Sequence, residues 1–200
     1  MATADPFEPL VGALARPAEA SSDFDLNPSI VLPEGRKLRA AGVLVPILPT
    51  PEGLRLILTK RSSALKHHPG QIAFPGGKVD PGDADETSAA LREAHEEIGL
   101  DPANVEVLGT LASHETVTGF TVTPVLGRLH RAFDPVPEAG EVDEVFQVPL
   151  DHVMDPGRYV VESRYWRGTK RHYYAVPYGP YYIWGATARI LRGLAARVAE

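Results

Sequence analysis

The hydrophobic positions of this chain fall mostly in short runs bounded by turn residues, a pattern that predicts strands. Ala40–Leu48 and Leu54–Thr59 are two such runs, separated by a turn containing Pro and Gly, and Gln71–Phe74 is a third. Further strands are predicted at Val105–Ala112, Thr121–Leu129 and Val145–Pro149, and a hairpin at Arg158–Trp166 and His172–Pro177. The chain is therefore predicted to be built mainly around β-sheet.

Two segments instead have the helical period. A segment that begins at Glu86 or Thr87 and ends at Ile98 carries a set of apolar residues on one side, and Gly99 follows it as a helix stop. Ile183–Ala199 predicts a closing amphipathic helix with its apolar side formed by Ile190, Leu191, Leu194 and Val198. A helical turn is predicted near Leu150–Met154. Many strands with one helix in the middle and one at the end predict an α+β fold, an α/β/α sandwich around a mixed β-sheet.

The first 35 residues differ from the rest of the chain in composition. They are rich in Ala, Pro, Ser and Asp, although Leu10, Val11 and Leu14 have the spacing of a short helix. We expect residues 1–35 to form a flexible N-terminal arm and residues 36–200 to form one domain. On this interpretation, deletion of residues 1–30 should be tolerated.

Composition narrows the class of protein. The 200 residues are 44% hydrophobic and 23% charged, as in an ordinary globular protein, and the formal net charge is −6. This acidic balance, without a basic run, argues against nucleic acid as a partner. The absence of Cys excludes disulfides and thiolate nucleophiles. No apolar run is long enough to span a bilayer, so we expect no membrane association and a cytoplasmic location.

Three carboxylates in the middle helix carry the first chemical signal. Glu93, Glu96 and Glu97 are spaced i, i+3 and i+4, so they share one face and repel one another. A bound divalent cation would remove this repulsion, and clustered carboxylate oxygens suit Mg²⁺ or Mn²⁺. Such ions usually serve a substrate phosphate. The competing interpretation is a solvated acidic helix face.

The surrounding sequence favours the metal site. The segment from Gly76 to Leu100 resembles the Nudix box, G-x5-E-x7-R-E-U-x-E-E-x-G-U, and Arg92–Leu100 matches its second half. The first half departs from the pattern, because 14 residues rather than 13 separate Gly77 from Arg92. The position expected to hold the isolated acid of the box is Ala84, and Asp85 and Glu86 follow it, so the sequence leaves open which acid partners Arg92.

Resemblance to the Nudix family implies attack by water on one phosphorus of a substrate diphosphate. It implies Glu93, Glu96 and Glu97 as metal ligands, with help from the Gly76–Gly77 carbonyls, and Arg92 as a brace behind one Glu. The general base is less determined. We rank Glu93 first, Glu141 second and Glu115 third.

A second resemblance concerns the substrate. Leu58–Ser62, Lys66, Gly70 and Phe74–Gly77 resemble the signature of coenzyme A (CoA) pyrophosphatases within the Nudix family, L-L-T-x-R-S-x3-R-x3-G-x3-F-P-G-G. Lys66 replaces an Arg of the signature, which keeps the charge and loses the bidentate geometry. The resemblance implies that Arg61, Lys66, Gly76 and Gly77 bind substrate, and we expect Arg61 to hold the 3′-phosphate of CoA. His67 and His68 add polar groups nearby.

Three alternatives remain. The chain could be a Nudix hydrolase for another nucleotide, such as ADP-ribose or a dinucleoside polyphosphate. It could be a Nudix-fold ligand sensor without catalysis, although the intact Glu93, Glu96 and Glu97 argue against this. It could also be an interaction module with an acidic helix. A CoA-like small molecule is the expected partner, Mg²⁺ or Mn²⁺ the expected cofactor, and a homodimer is left open.

Overall fold

The computed structural model describes residues 5–66, 68–166 and 168–200. Four α-helices occur in this part of the chain: α1 Glu8–Ala15, α2 Glu86–Ile98, α3 Leu150–Met154 and α4 Ala186–Val198. The strands are β1 Ser21–Ser22, β2 Arg39–Thr50, β3 Gly53–Arg61, β4 Ile72–Ala73, β5 Gly76–Lys78, β6 Val105–Thr110, β7 His114–Glu115, β8 Phe120–Leu129, β9 Val142–Pro149, β10 Val160–Trp166 and β11 Thr169–Ala175. None of the helices described here is long and apolar enough to cross a bilayer.

The main sheet is mixed and is centred on β2. This strand runs parallel to β8, with Val43 opposite Pro124, and antiparallel to both β3 and β5. The order β1-β7-β8-β2-β3-β4 forms the main path, with β6 paired to β8 and β9 paired to β3. Strands β10 and β11 form a separate hairpin. The predicted mixed sheet is confirmed.

Helices cover the main sheet on both faces. Successive residues of a strand point to opposite faces, so Leu56 and Leu58 of β3 face one layer while Ile57 faces the other. The layer beneath Ile57 is filled by α2, and the opposite layer contains apolar residues from α1, α3 and α4. The predicted α/β/α sandwich is confirmed. Among the helices of the described residues, α2 is the one that packs against this face at the centre of the sheet, and it therefore positions the site.

The N-terminal segment differs from the flexible arm that we expected. Helix α1 packs on α4, and its flanking residue Phe7 is buried together with Leu10 and Ala13. Farther along, the Asn27 side chain donates to and accepts from the backbone of His172, at 2.9 and 2.8 Å. Pro and Ala composition suggested a flexible segment, but a few apolar side chains anchor it because α4 and β6 leave apolar surface for them to cover.

Two neighbouring positions on α1 test this packing. Leu10→Ala should lower the free energy of unfolding by about 2–5 kcal/mol, because Leu10 is only 2% exposed. Val11→Ala is the matched control: Val11 is 46% exposed, so its truncation should change stability by less than about 1 kcal/mol. Urea denaturation measures both. Equal, small effects would show that α1 is detached in solution.

Most predicted elements occur within a few residues of their expected bounds. The exceptions are the short strands β1, β5 and β7, which the hydrophobic pattern did not indicate. Two of these short segments pair with a longer strand, β5 with β2 and β7 with β8, and β1 pairs in turn with β7. The hairpin turn was expected at 167–169, and position 167 lies outside the described residues.

Candidate active site

Two glycines of β5 allow close packing around the site, Gly76 against β2 and Gly77 against helix α2. Gly76 has φ +152°, a conformation that favours glycine, and a Cβ there would lie 2.5 Å from the Gly42 carbonyl oxygen. A Cβ on Gly77 would lie 2.5 Å from the carboxylate carbon of Glu93. The absence of side chains thus brings the β5 backbone against the carboxylates of α2.

Helix α2 has a defined beginning and end. The Asp85 side chain accepts hydrogen bonds from the backbone N–H and the hydroxyl of Ser88, at 2.8 and 2.9 Å, which caps the helix N-terminus. At the other end Gly99 is left-handed, and its N–H donates to the carbonyls of Ala94 and His95. These caps fix the register that orients the three glutamates.

Arg92 is held by an acid that the sequence analysis missed. Its guanidinium makes a bidentate pair with Asp83, with both N–O distances 2.9 Å. It also donates to Glu93 at 3.0 Å and to Glu96 at 3.1 Å. In the pattern G-x5-E-x7-R-E, counting back from Arg92 places the isolated acid at Ala84, whereas counting forward from Gly77 places it at Asp83. The pairing with Arg92 identifies Asp83 as this acid, so the inserted residue lies between Asp83 and Arg92. Arg92 therefore connects the loop to the helix face, as a brace.

Glu97 is the most buried carboxylate of the box. It is 5% exposed, and one carboxylate oxygen accepts a hydrogen bond from the Gly76 N–H at 3.0 Å. Burial raises the pKa of Glu97 from 4.5 to about 7, and the negative charge of Glu93 adds to this effect. Burial also raises the pKa of Glu93, against the opposing influence of Arg92. Both groups are thus in a place where negative charge is unfavourable without a cation.

Tertiary structure brings two distant residues to this cluster. The negative charge of Glu141 acts on both Glu93 and Glu97, and the positive charge of Arg61 lowers the pKa of Glu97. Backbone hydrogen bonds position them: the Ser62 N–H donates to the Glu141 carbonyl at 2.8 Å, and the Glu138 N–H donates to the Glu97 carbonyl at 2.8 Å. Arg61 and Glu141, both candidates from sequence, therefore lie beside the box.

The other sequence candidates are placed differently. Lys66 is exposed on the loop between β3 and β4, and His67 lies outside the described residues. Glu115 of β7, the third candidate for the base, forms an ion pair with Arg36. Glu96 is more exposed than its neighbours and is bound to Arg92. The two later candidates for the base therefore differ: Glu115 pairs with Arg36, whereas the charge of Glu141 acts on Glu93 and Glu97.

The donor set suits a hard divalent cation. Glu93, Glu96, Glu97 and Glu141 supply only carboxylate oxygens, and the raised pKa values of Glu93 and Glu97 indicate that positive charge would stabilise their ionised forms. Within residues 5–66, 68–166 and 168–200, no three His, Asp or Glu side chains already converge as ligands. Glu93 and Glu96 each accept a hydrogen bond from Arg92, and each keeps further lone pairs.

Comparison with known proteins agrees with this geometry. The NUDIX domain family matches residues 38–167, which include β5, the connecting loop and α2. The chain belongs to the Nudix family. It is similar to the uncharacterized Nudix hydrolase NudL of Cronobacter sakazakii, with 43% identity over 162 residues, 81% of this chain and 84% of the relative. NudL of Salmonella heidelberg is 41% identical over 177 residues, covering 88% and 92%.

Solved structures give the same family. A Nudix hydrolase from M. smegmatis, RenU, aligns with TM-score 0.50 and 29% identity over 58% of this chain and 74% of that one. The MutT protein from Methanosarcina mazei aligns with TM-score 0.53 over 84% and 96%, and at 17% identity it supports the fold alone. This Nudix chain is therefore a hydrolase of nucleoside diphosphate derivatives, in a family that generally uses divalent cations. The names of the NudL relatives specify no substrate.

Proposed function

We propose that this Nudix hydrolase cleaves the diphosphate bond of CoA or its derivatives. Water adds across the P–O–P bridge, giving 3′,5′-ADP and 4′-phosphopantetheine, or its acyl form. The observation that supports this most directly is that Arg61, from the CoA-type signature, lies beside Glu97 of the Nudix box. The segment that would recognise the substrate and the segment that would cleave it thus form one site.

The chain's residues divide into three roles in this proposal. Glu93, Glu96 and Glu97 would hold Mg²⁺ or Mn²⁺, and the ion would supply positive charge to the phosphate oxygens and lower the pKa of water. Arg92, fixed by Asp83, keeps the glutamates oriented. Glu93 remains our first choice as the group that accepts the proton of the attacking water, and Glu141 is the second. The negative charges of both carboxylates raise the pKa of Glu97, so both lie near the site where that water would be activated.

The position of Arg61 changes the role that we expected for it. A guanidinium next to Glu97 is suited to the diphosphate that must lie against the box, rather than to the more distant 3′-phosphate. The loop that follows is closed at its base, where the Gly70 N–H donates to the Arg61 carbonyl at 3.0 Å. This closure fixes the backbone at Arg61, the residue from which the guanidinium extends.

The substrate test uses CoA, dephospho-CoA, ADP-ribose and NADH side by side, with Mg²⁺ and with Mn²⁺, and products are identified by chromatography. We expect CoA to have the highest kcat/KM, with release of 3′,5′-ADP. A clear preference for ADP-ribose would overturn the CoA proposal and leave the Nudix assignment intact. EDTA should abolish turnover in either case.

A charge-deletion variant tests Arg61. Arg61→Met should lower kcat/KM about ten-fold or more for CoA and for dephospho-CoA equally, because a charge-assisted phosphate contact contributes about 1.5–3 kcal/mol and both substrates carry the diphosphate. Arg55→Met removes the same charge from the same strand, far from the box, and should leave the rate near that of the wild type. A loss restricted to CoA would instead return Arg61 to the 3′-phosphate.

The remaining expectations stay predictions. They are the division at residue 35 between an N-terminal segment and the domain, the cytoplasmic location and a homodimer.

A further inference from the structure

A cavity of about 330 Å³ lies at the end of β3, on the face of the sheet opposite α2. Its described lining includes two charged residues, Lys60 and Glu144. It also includes three aromatic residues from one loop, Tyr181, Tyr182 and Trp184. This volume is at the lower end of the range for small-molecule sites, so the cavity suits a nucleoside rather than a whole CoA molecule. Neither the Nudix box nor the CoA-type signature includes the aromatic residues.

The cavity and the carboxylate cluster lie on opposite faces of the sheet, and they approach each other at the end of β3. Lys60 is opposite Glu144 of β9 and Ile72 of β4, and cross-strand partners point to the same face. Arg61 follows at once, where the register with β9 shifts, and its charge lowers the pKa of Glu97 on the other face. The two cations therefore diverge from adjacent Cα atoms, about 3.8 Å apart. A ribose at the strand end can present one phosphate to each of them.

The lining offers the groups that recognise an adenine ring. Tyr182 is 43% exposed, so a planar base can stack on it, whereas the ring of Tyr181 is already stacked on Phe146 at 3.6 Å. The Tyr181 hydroxyl donates to one Glu144 oxygen and holds that carboxylate at the cavity wall. A carboxylate has further lone pairs, which can accept from the exocyclic amino group of adenine.

One cation of the cavity lining, Lys60, can contact an additional phosphate. Lys60 supplies an ammonium in the lining, and its acidic neighbours already have other donors: Asp143 accepts from the Ser63 N–H at 2.9 Å, and Glu144 from Tyr181. Arg164 lies with its guanidinium carbon 4.0 Å from the centre of the Trp184 ring, and the charges of Arg164 and Glu162 both act on Tyr182.

We propose that this cavity binds the 3′-phosphoadenosine end of the substrate, with Lys60 on the 3′-phosphate, Glu144 on the adenine amino group and Tyr182 stacked on the base. The inference rests on the proposed function for the identity of the substrate. It assigns the 3′-phosphate to Lys60 and the diphosphate to Arg61, two adjacent residues on opposite faces of one strand.

Binding of products and fragments tests the cavity without turnover. In EDTA, isothermal calorimetry should show that wild-type protein binds adenosine 3′,5′-bisphosphate about ten-fold more tightly than 5′-AMP. Lys60→Met should remove this preference, and Arg55→Met should keep it. Tyr182→Ala should weaken both nucleotides about ten-fold, and Tyr182→Phe, which keeps the ring, should weaken neither. Equal wild-type affinities for the two nucleotides would overturn the inference.

Kinetics supply a second measurement that is independent of the active fraction of each sample. The ratio of kcat/KM for CoA to that for dephospho-CoA should fall about ten-fold in Lys60→Met and stay at the wild-type value in Arg55→Met and Arg61→Met. An unchanged ratio in Lys60→Met would overturn the inference while CoA hydrolysis still stood. Failure of CoA hydrolysis together with Lys60-dependent binding of the bisphosphate would refute the proposed function and support the cavity.

Discussion

Glu97→Gln is expected to lower kcat by at least about 100-fold, the largest catalytic effect that we expect from a single conservative substitution in this chain. The substitution removes the charge of the most buried carboxylate of the box. Metal-dependent hydrolysis of a phosphoanhydride needs that charge to hold the cation. A glutamine oxygen can still accept from the Gly76 N–H, so the fold should be retained. Steady-state rates at increasing Mg²⁺ measure the effect.

Glu86→Gln is the matched control. It is the same isosteric change in the first turn of the same helix, outside the cluster that surrounds Glu97, and it should keep the wild-type rate. Wild-type-like turnover of Glu97→Gln at saturating Mg²⁺ would remove Glu97 from the ligands.

The pH dependence of stability provides a test of Glu97 that does not involve turnover. The folded protein binds this proton more tightly than the unfolded chain between pH 4.5 and about 7, so its stabilising effect is complete below pH 4.5 and is lost as pH rises to 7. The full shift corresponds to roughly 3 kcal/mol. In EDTA, the Tm of the wild type should therefore fall relative to that of Glu97→Gln across this interval, and Mg²⁺ at pH 8 should raise only the wild-type Tm.

A Tm difference between the two proteins that does not change with pH would contradict the burial of an ionisable Glu97.

Gly42→Ala is expected to have the largest effect on stability, a loss of about 3 kcal/mol or more in the free energy of unfolding. A Cβ at position 42 would lie 1.8 Å from the Glu86 carbonyl oxygen and 3.1 Å from the Ala90 nitrogen, both backbone atoms of α2. These backbone atoms cannot move aside as the end of a flexible side chain can, so α2 must move away from β2. Chemical denaturation measures the loss, and activity should fall with it because α2 carries the glutamates.

Gly12→Ala is the control for this substitution. Gly12 lies within α1, and a Cβ there meets nothing within 4 Å. The change should therefore stabilise the protein by up to about 1 kcal/mol, through the higher helix propensity of alanine. A similar effect at both glycines would show that the approach of α2 to β2 is looser than the structure indicates.

The local signals in the sequence were sufficient for the helix that carries the site. The boundaries of α2 were predicted because Gly99 and the apolar positions Leu91, Ala94 and Ile98 are near one another in the chain. The family and the candidates Arg92, Glu93, Glu96 and Glu97 also followed from this contiguous segment. Periodicity, capping and motif spacing all act over a few residues, and a sequence displays them directly.

Contacts between distant residues could not be predicted in this way. The pairing of Arg92 with Asp83 depends on the path of the loop, and a one-residue insertion made the count ambiguous. The anchoring of α1 depends on the apolar surface that α4 offers it. No local pattern displays either contact.

The sequence by itself determined the fold class, the family and the carboxylate face of α2, because each depends on the order and spacing of residues within short segments. Only the tertiary structure decided how charge is arranged around that face. It buried Glu97 under the β5 backbone, placed Arg61 and Glu141 beside it, and turned Lys60 to the opposite side of the sheet. Burial and charge proximity set the pKa values and the direction of substrate contacts, and both arise only when strands from different parts of the chain pair.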